Sequence, residues 1–144
     1  MEGKLKWEKD LGNMQTRNNF GECSSPVLHG NTIVINWDHE GQSFIVALDK
    51  KNGQELWRVD RDERTSWSTP IVVEQNNIGQ VITSATNHVR SYDISSGKTI
   101  WKMDGLTANV IPSPVFENGL LYVMSGFRGN ALKAIRREGT KEDR

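Results

Sequence analysis

Four stretches of this chain concentrate side chains able to bind or to catalyse. They are Trp37-Asp38-His39-Glu40, the run Arg61-Asp62-Glu63-Arg64 leading to Trp67, Asn87-His88, and Arg128 between Gly126-Phe127 and Gly129. One imidazole beside two carboxylates, at Asp38, His39 and Glu40, is a donor set that a divalent ion uses, but three neighbours in one loop make a weak metal signal. His88 has the chemistry of a general base, yet no nucleophile stands at a recognisable spacing from it. The mixed charges of Arg61 to Arg64 are expected to form a solvated, self-paired loop. Trp37 either takes part in binding or caps an apolar edge. Trp67, just ahead of Ser68-Thr69-Pro70, is expected to pack inward. A guanidinium at Arg128 could hold a carboxylate, because the flanking glycines let the backbone approach closely. The single cysteine, Cys23, excludes an internal disulfide and a cysteine-based zinc site, and reads as an unreactive loop or semi-buried thiol. These residues assemble no catalytic constellation.

The elements that must carry them repeat. Ser25-Pro26, Thr69-Pro70 and Ser113-Pro114 each lie 44 residues from the next, as do Asp49 and Asp93, and Trp57 and Trp101. Within each period stand short runs rich in β-branched residues, bounded by Gly, Asn and Asp, which read as strands joined by hairpins. Asn52-Gly53, Ser96-Gly97 and Asn118-Gly119 supply the positive φ that tight turns require, and Asp49 and Asp93 can cap those turns with their carboxylates. The fold class expected is all-β. Four-stranded antiparallel units of about 44 residues match the blades of a β-propeller. The expected division is an outer strand of a preceding blade at 5–9, blade one at 24–60, blade two at 68–104 and an incomplete blade three at 112–137. The two-to-three turns and the links between blades should share one face. That face would gather Trp37, Asp38, His39, Glu40, Arg64, Trp67, Asn87, His88 and Arg128 as the candidate ligand surface.

Ala47-Leu48-Asp49 with Asn52-Gly53-Gln54-Glu55-Leu56-Trp57, and Ser91-Tyr92-Asp93 with Ser96-Gly97-Lys98-Thr99-Ile100-Trp101, resemble the tryptophan-docking repeat of the quinoprotein-like, or PQQ-like, β-propellers. Gly3-Lys4-Leu5-Lys6-Trp7 resembles the closing half of another copy. The resemblance implies docking roles for Trp7, Asp49, Gly53, Trp57, Asp93, Gly97 and Trp101, with each Trp wedged into a seam between blades. It also implies a periplasmic or otherwise extracytoplasmic setting. The family includes quinone-dependent dehydrogenases, a lipoprotein scaffold for outer-membrane protein assembly, and many bacterial propellers without an assigned role. In the dehydrogenases, the resemblance implies a quinone held against a Trp and a vicinal disulfide, polarised by calcium, with an Asp as base. This chain has no vicinal cysteines and no evident six- to eight-oxygen ligand set. The expectation is therefore a non-catalytic module without cofactor that binds a protein or a small ligand, or scaffolds an assembly. The alternative is a fragment of a PQQ-dependent oxidoreductase whose site lies elsewhere.

About three blades are fewer than a closed ring uses. The chain is expected either to be a fragment of a longer protein or to build a ring from several copies, with Trp7 of one copy docking head-to-tail on blade three of another. Composition narrows the partners. Eighteen basic residues balance eighteen acidic ones, which leaves no electrostatic footprint for nucleic acid or an anionic membrane. No apolar run is long enough to span a bilayer, and Met1 opens no signal-peptide pattern.

Overall fold

The computed structural model describes residues 2–22, 24–75 and 77–136. Cys23, and Arg137 at the end of the expected third blade, lie outside the described residues. The described chain forms three antiparallel sheets and a short 3-10 turn at Arg17–Asn19. The first sheet contains β1 (Val27–His29), β2 (Thr32–Trp37), β3 (Ser43–Asp49) and β4 (Glu55–Arg61), in sequential order. The second repeats this with β5 (Ile71–Gln75), β6 (Ile78–Ser84), β7 (His88–Asp93) and β8 (Thr99–Asp104). The third contains β9 (Val115–Glu117), β10 (Leu120–Ser125) and β11 (Ala131–Arg136). These are consecutive blades of an open, partial β-propeller. No helix among the described residues is long and apolar enough to cross a membrane.

The blade period holds down to single hydrogen bonds. In blade one, Asp49 N donates to Gln54 O and Gly53 N donates to Asp49 O, both at 2.8 Å. In blade two, Asp93 N donates to Lys98 O and Gly97 N to Asp93 O, again at 2.8 Å. Gly53 and Gly97 adopt φ of 71° and 74°, which side-chain-bearing residues rarely accept. A register irregularity falls between Ala47 and Leu48 in one blade and between Ser91 and Tyr92 in the next. Each bulge bends the outer strand at the same point of the repeat.

The middle strands are buried on both faces, and their alternation divides the core. Ile45 and Ala47 face blade two, packing with Val34, Val81 and Tyr92 and the half-buried Trp57 and Val59. Phe44, Val46 and Leu48 face the other way, toward Trp7, Leu11, Ile35 and Trp37. Ile82 and Val89 of blade two meet Leu121 and Val123 of blade three. Each fully buried branched side chain contributes about 1.5–3 kcal/mol over its exposed state.

Leu5 to Lys9, expected as an outer strand, belong to no sheet. They form a strap held through side chains. Trp7 Nε1 donates to Lys50 O at 2.9 Å, and its ring lies so close to Gly53 that a Cβ there would sit 2.6 Å from it. Trp57 makes the same contact one blade on, donating to Ile94 O at 2.9 Å and lying against Gly97. Trp7 thus docks on blade one within the chain, at the seam position that Trp57 takes on blade two. Trp57 and Trp101 are half-buried.

The segments Ser24-Ser25-Pro26, Ser68-Thr69-Pro70 and Pro112-Ser113-Pro114 lie ahead of the inner strands and join the blades. Ser24 Oγ donates to Ser68 O at 3.3 Å, and Ser68 Oγ donates to Pro112 O at 2.9 Å. A bond that links each position to its own repeat equivalent fixes the spacing of the blades near the axis.

Candidate functional site

The turns between β2 and β3, β6 and β7, and β10 and β11 meet the inter-blade links on one face. There the link after β4 alternates like a strand. Arg61, Glu63, Thr65 and Trp67 point inward and are buried, whereas Asp62 and Arg64 are exposed. The expectation of a solvated, self-paired loop is therefore corrected: its two inward charges pair across the fold.

Arg61 and Asp38 have no exposed side-chain surface, and two of their bonds are parallel, Nε to Oδ1 at 2.7 Å and NH2 to Oδ2 at 3.0 Å. Asn36 Nδ2 and Ser66 Oγ also donate to Asp38. Arg61 NH1 donates to Tyr92 Oη at 2.6 Å and to Thr83 Oγ1 at 3.0 Å. Burial alone would depress the Arg61 pKa, but the Asp38 carboxylate outweighs it and holds the guanidinium above its ordinary value. Both charges are nearly saturated with partners, the condition under which a buried ion pair is tolerated.

A second cluster sits beside it. Glu63 accepts from Asn87 N at 2.8 Å, His88 N at 3.0 Å and Arg90 NH1 at 2.8 Å. Arg90 also donates to Asp62 and to His88 Nδ1. Burial raises the Glu63 pKa. Asp62 falls below its ordinary value, because bonding and the Arg90 charge outweigh the opposing effect of burial. Ligand atoms of Asp62, Glu63 and His88 lie within 4.8 Å of one another. A guanidinium already bonded to all three occupies the place where a cation would sit, so this arrangement does not suit a metal.

The remaining predicted residues are distributed as follows. Trp37 stacks on Phe44 with centroids 5.9 Å apart. His39 is buried, its Nδ1 accepting from Gln15 N at 3.1 Å and its Nε2 donating to Gln42 O at 3.0 Å. Both nitrogens are engaged by a single neutral tautomer, leaving neither for a metal. Glu40 accepts from Thr65 Oγ1 at 2.7 Å. Asn87 bonds to the Asp62 carbonyl. Trp67 is buried, with Nε1 donating to Gly21 O at 2.8 Å. Arg64 and Arg128 are exposed, with no carboxylate partner among the described residues.

The turn carboxylates are also occupied. Asp49 accepts from Lys51 N and Asn31 Nδ2, and Asp93 accepts from the backbone N and Oγ of both Ser95 and Ser96. They stand at separate hairpins, and their oxygens do not converge into the ligand cage that a calcium–quinone site needs.

Sequence reasoning missed the Arg61–Tyr92 and Glu63–Arg90 links, although the period-2 placement of Arg61, Glu63 and Thr65 continues the strand pattern of β4. It also missed an apolar hollow of about 230 Å³ lined by Phe20, Trp67, Asn109, Ile111 and Phe127. That grouping joins four separate segments, so no local pattern announces it.

Comparison with known proteins places this geometry. A family model described as "Outer membrane protein assembly factor BamB", built on PQQ-like repeats, matches residues 40–141. The chain is 31% identical over 101 residues to an outer membrane protein assembly factor BamB of Francisella salina, covering 69% of this chain and 18% of that protein. A homologue from Francisella tularensis subsp. tularensis is 32% identical over 100 residues, covering 69% of this chain and 20% of that protein. The chain spans about a fifth of the length of these relatives. The crystal structure of BamB from Moraxella catarrhalis superposes with a TM-score of 0.63 at 14% identity, over 84% of this chain and 37% of that one. A europium-containing methanol dehydrogenase superposes at 0.68 with 16% identity, over 92% of this chain and 25% of that one. At such identities these two likenesses speak for the fold alone. The matched repeats and the blades they form show that the chain belongs to the BamB-type family of PQQ-like β-propellers.

Proposed function

We propose that this chain is a non-catalytic propeller segment whose loop face binds or scaffolds a protein partner, in an extracytoplasmic setting and in the sense of its assembly-factor relatives. The observation that carries this reading is the way the loop face uses its polar groups. Asp38, His39, Glu63, His88 and Arg90 are each bonded to other groups of the protein. Asp38, through Arg61, and Glu63, with Arg90, tie blade one to blade two, while His39 holds Gln15 and its own turn. What the same face leaves outward is apolar surface at Phe20, Ile111 and Phe127, with charged groups at Asp62, Arg64 and Arg128. Such a face supplies contact area on a rigid frame.

A photo-cross-linking residue at Ile111 tests it in a bacterial envelope. The expected result is one discrete adduct with a component of the outer-membrane assembly machinery, absent when the residue stands at Lys98 in the opposite hairpins. Equal labelling from both positions would remove the loop face as the binding surface. The proposal includes neither quinone nor calcium. Incubation with PQQ and calcium followed by desalting should leave no bound chromophore and an unchanged melting temperature; a retained, stoichiometric absorbance would establish the oxidoreductase alternative.

A further inference from the structure

The hollow on the loop face has a built floor and open walls. Trp67 forms the floor, fixed by its indole bond to Gly21 O and by its backbone N–H to Val110 O at 2.7 Å. The walls are large apolar side chains left in water: Phe20 is 68% exposed, Ile111 61% and Phe127 46%. The space of about 230 Å³ compares with about 30 Å³ for one water, and water there has almost no polar partner. Displacing it with an apolar group is favourable.

Beside the hollow stands an unpaired charge in a constrained position. The Arg128 guanidinium lies 5.5 Å from the Phe127 ring centroid and has no carboxylate partner among the described residues. Its φ of 54° is uncommon for a residue with a side chain. Gly129 follows at φ 117°, with Thr107 only 3.2 Å from where its Cβ would be. This backbone fixes the direction in which the side chain leaves the loop. The buried or bonded carboxylates of the same face are already held: Asp38 by Arg61, Glu63 by Arg90, and Glu40 by Thr65.

We propose that the hollow receives an apolar side chain of an extended peptide from a partner protein, while Arg128 binds a carboxylate on the adjoining residue. Charge complementarity selects this occupant: a guanidinium without a carboxylate partner among the described residues, at the rim of an apolar hollow, favours an acidic–apolar pair over an apolar or basic segment. The inference rests on the binding role proposed above, and adds the chemistry of the partner.

Fluorescence anisotropy with labelled hexapeptides tests it. One carries Phe-Glu between Gly and Ser residues, a second carries Phe-Lys, and a third Ser-Glu. The Phe-Glu peptide should bind about tenfold more tightly than either control, with the advantage over Phe-Lys shrinking as salt is added. Arg128→Gly should abolish the Glu-over-Lys preference while leaving the melting temperature equal or higher, since glycine accepts this φ without strain. Ile111→Ser should weaken every Phe peptide. Equal affinity for the Glu and Lys peptides, or a preference that survives Arg128→Gly, would overturn the inference. So would a dimer in sedimentation that Phe127→Ser abolishes, because a second copy would then be the occupant. If the Phe-Glu peptide fails while Ile111 still cross-links to its partner, this inference falls and the binding role stands.

Discussion

Arg61 and Asp38 show how far single residues govern this structure. A guanidinium and a carboxylate with no solvent contact hold the loop after β2 to the end of β4, and Tyr92 and Thr83 extend the bond into blade two. Removing one partner leaves the other charge buried and unpaired, so Arg61→Met or Asp38→Leu should each cost about 3–5 kcal/mol in denaturant unfolding. The double variant should recover much of that loss, because no lone charge remains. Costs that simply add would show that the pair is not coupled. Asp93 offers a test by pH. Bonds from the Ser95 hydroxyl, then Ser96 and the backbone, outweigh burial and lower its pKa in the fold. A depressed carboxylate stabilises above its unfolded value of about 3.9 and loses that contribution as pH falls through the folded value. Asp93→Ala should therefore cost about 1–2 kcal/mol at pH 7 and progressively less below about pH 4. A penalty that stays constant into acid would assign the effect to turn geometry instead. The sequence showed Asp93 as a turn residue through its spacing from Gly97. It did not show Arg61 as buried, since five charges in a row, Asp60 to Arg64, carry no hydropathy signal and the partners lie 22 to 31 residues away.

At the scale of elements, the joint between blades is a tryptophan from the preceding segment that lies on the turn glycine of the blade it docks on. Trp57 reaches Ile94 O and Gly97, as Trp7 reaches Lys50 O and Gly53. A methyl group on Gly97 would stand 2.7 Å from the Trp57 ring and occupy a left-handed φ. Gly119 has a similar φ of 75° but nothing within 4 Å of its Cβ position. Gly119→Ala should thus cost about 1 kcal/mol, for the backbone alone. Gly97→Ala should cost about 2–3 kcal/mol and shift Trp57 fluorescence, because the ring is pushed off its seat. Equal losses for the two variants would mean that the ring does not depend on the glycine. The Trp and Gly positions of this joint were legible from their 44-residue recurrence. The hydrogen-bond acceptors were not, because any residue type offers a main-chain carbonyl, and Lys50 and Ile94 share no side-chain chemistry.

For the molecule as a whole, the decisive feature is what covers the outer face of blade one. Phe44, Val46 and Leu48 would face a preceding blade in a longer ring, and here the strap through Trp7 and Leu11 covers them. Strap and sheet belong to one chain, so this docking proceeds at an effective concentration on the order of millimolar. At micromolar protein, Trp7 should therefore stay on its own blade and not reach another copy. Deleting residues 1–12 removes the cover and exposes an apolar face of the kind that drives association. That deletion should lower stability by about 2–4 kcal/mol, comparable to other large core truncations, and turn the chain into concentration-dependent oligomers in light scattering. Trp7→Ala should do the same more weakly, since Leu11 remains. Adding back a peptide of residues 1–12 should restore both the melting temperature and the mass of the truncated chain. If the deletion changes neither quantity, the strap is not what closes blade one. If the intact chain associates at micromolar concentration and Trp7→Ala abolishes it, docking between copies outcompetes docking within one.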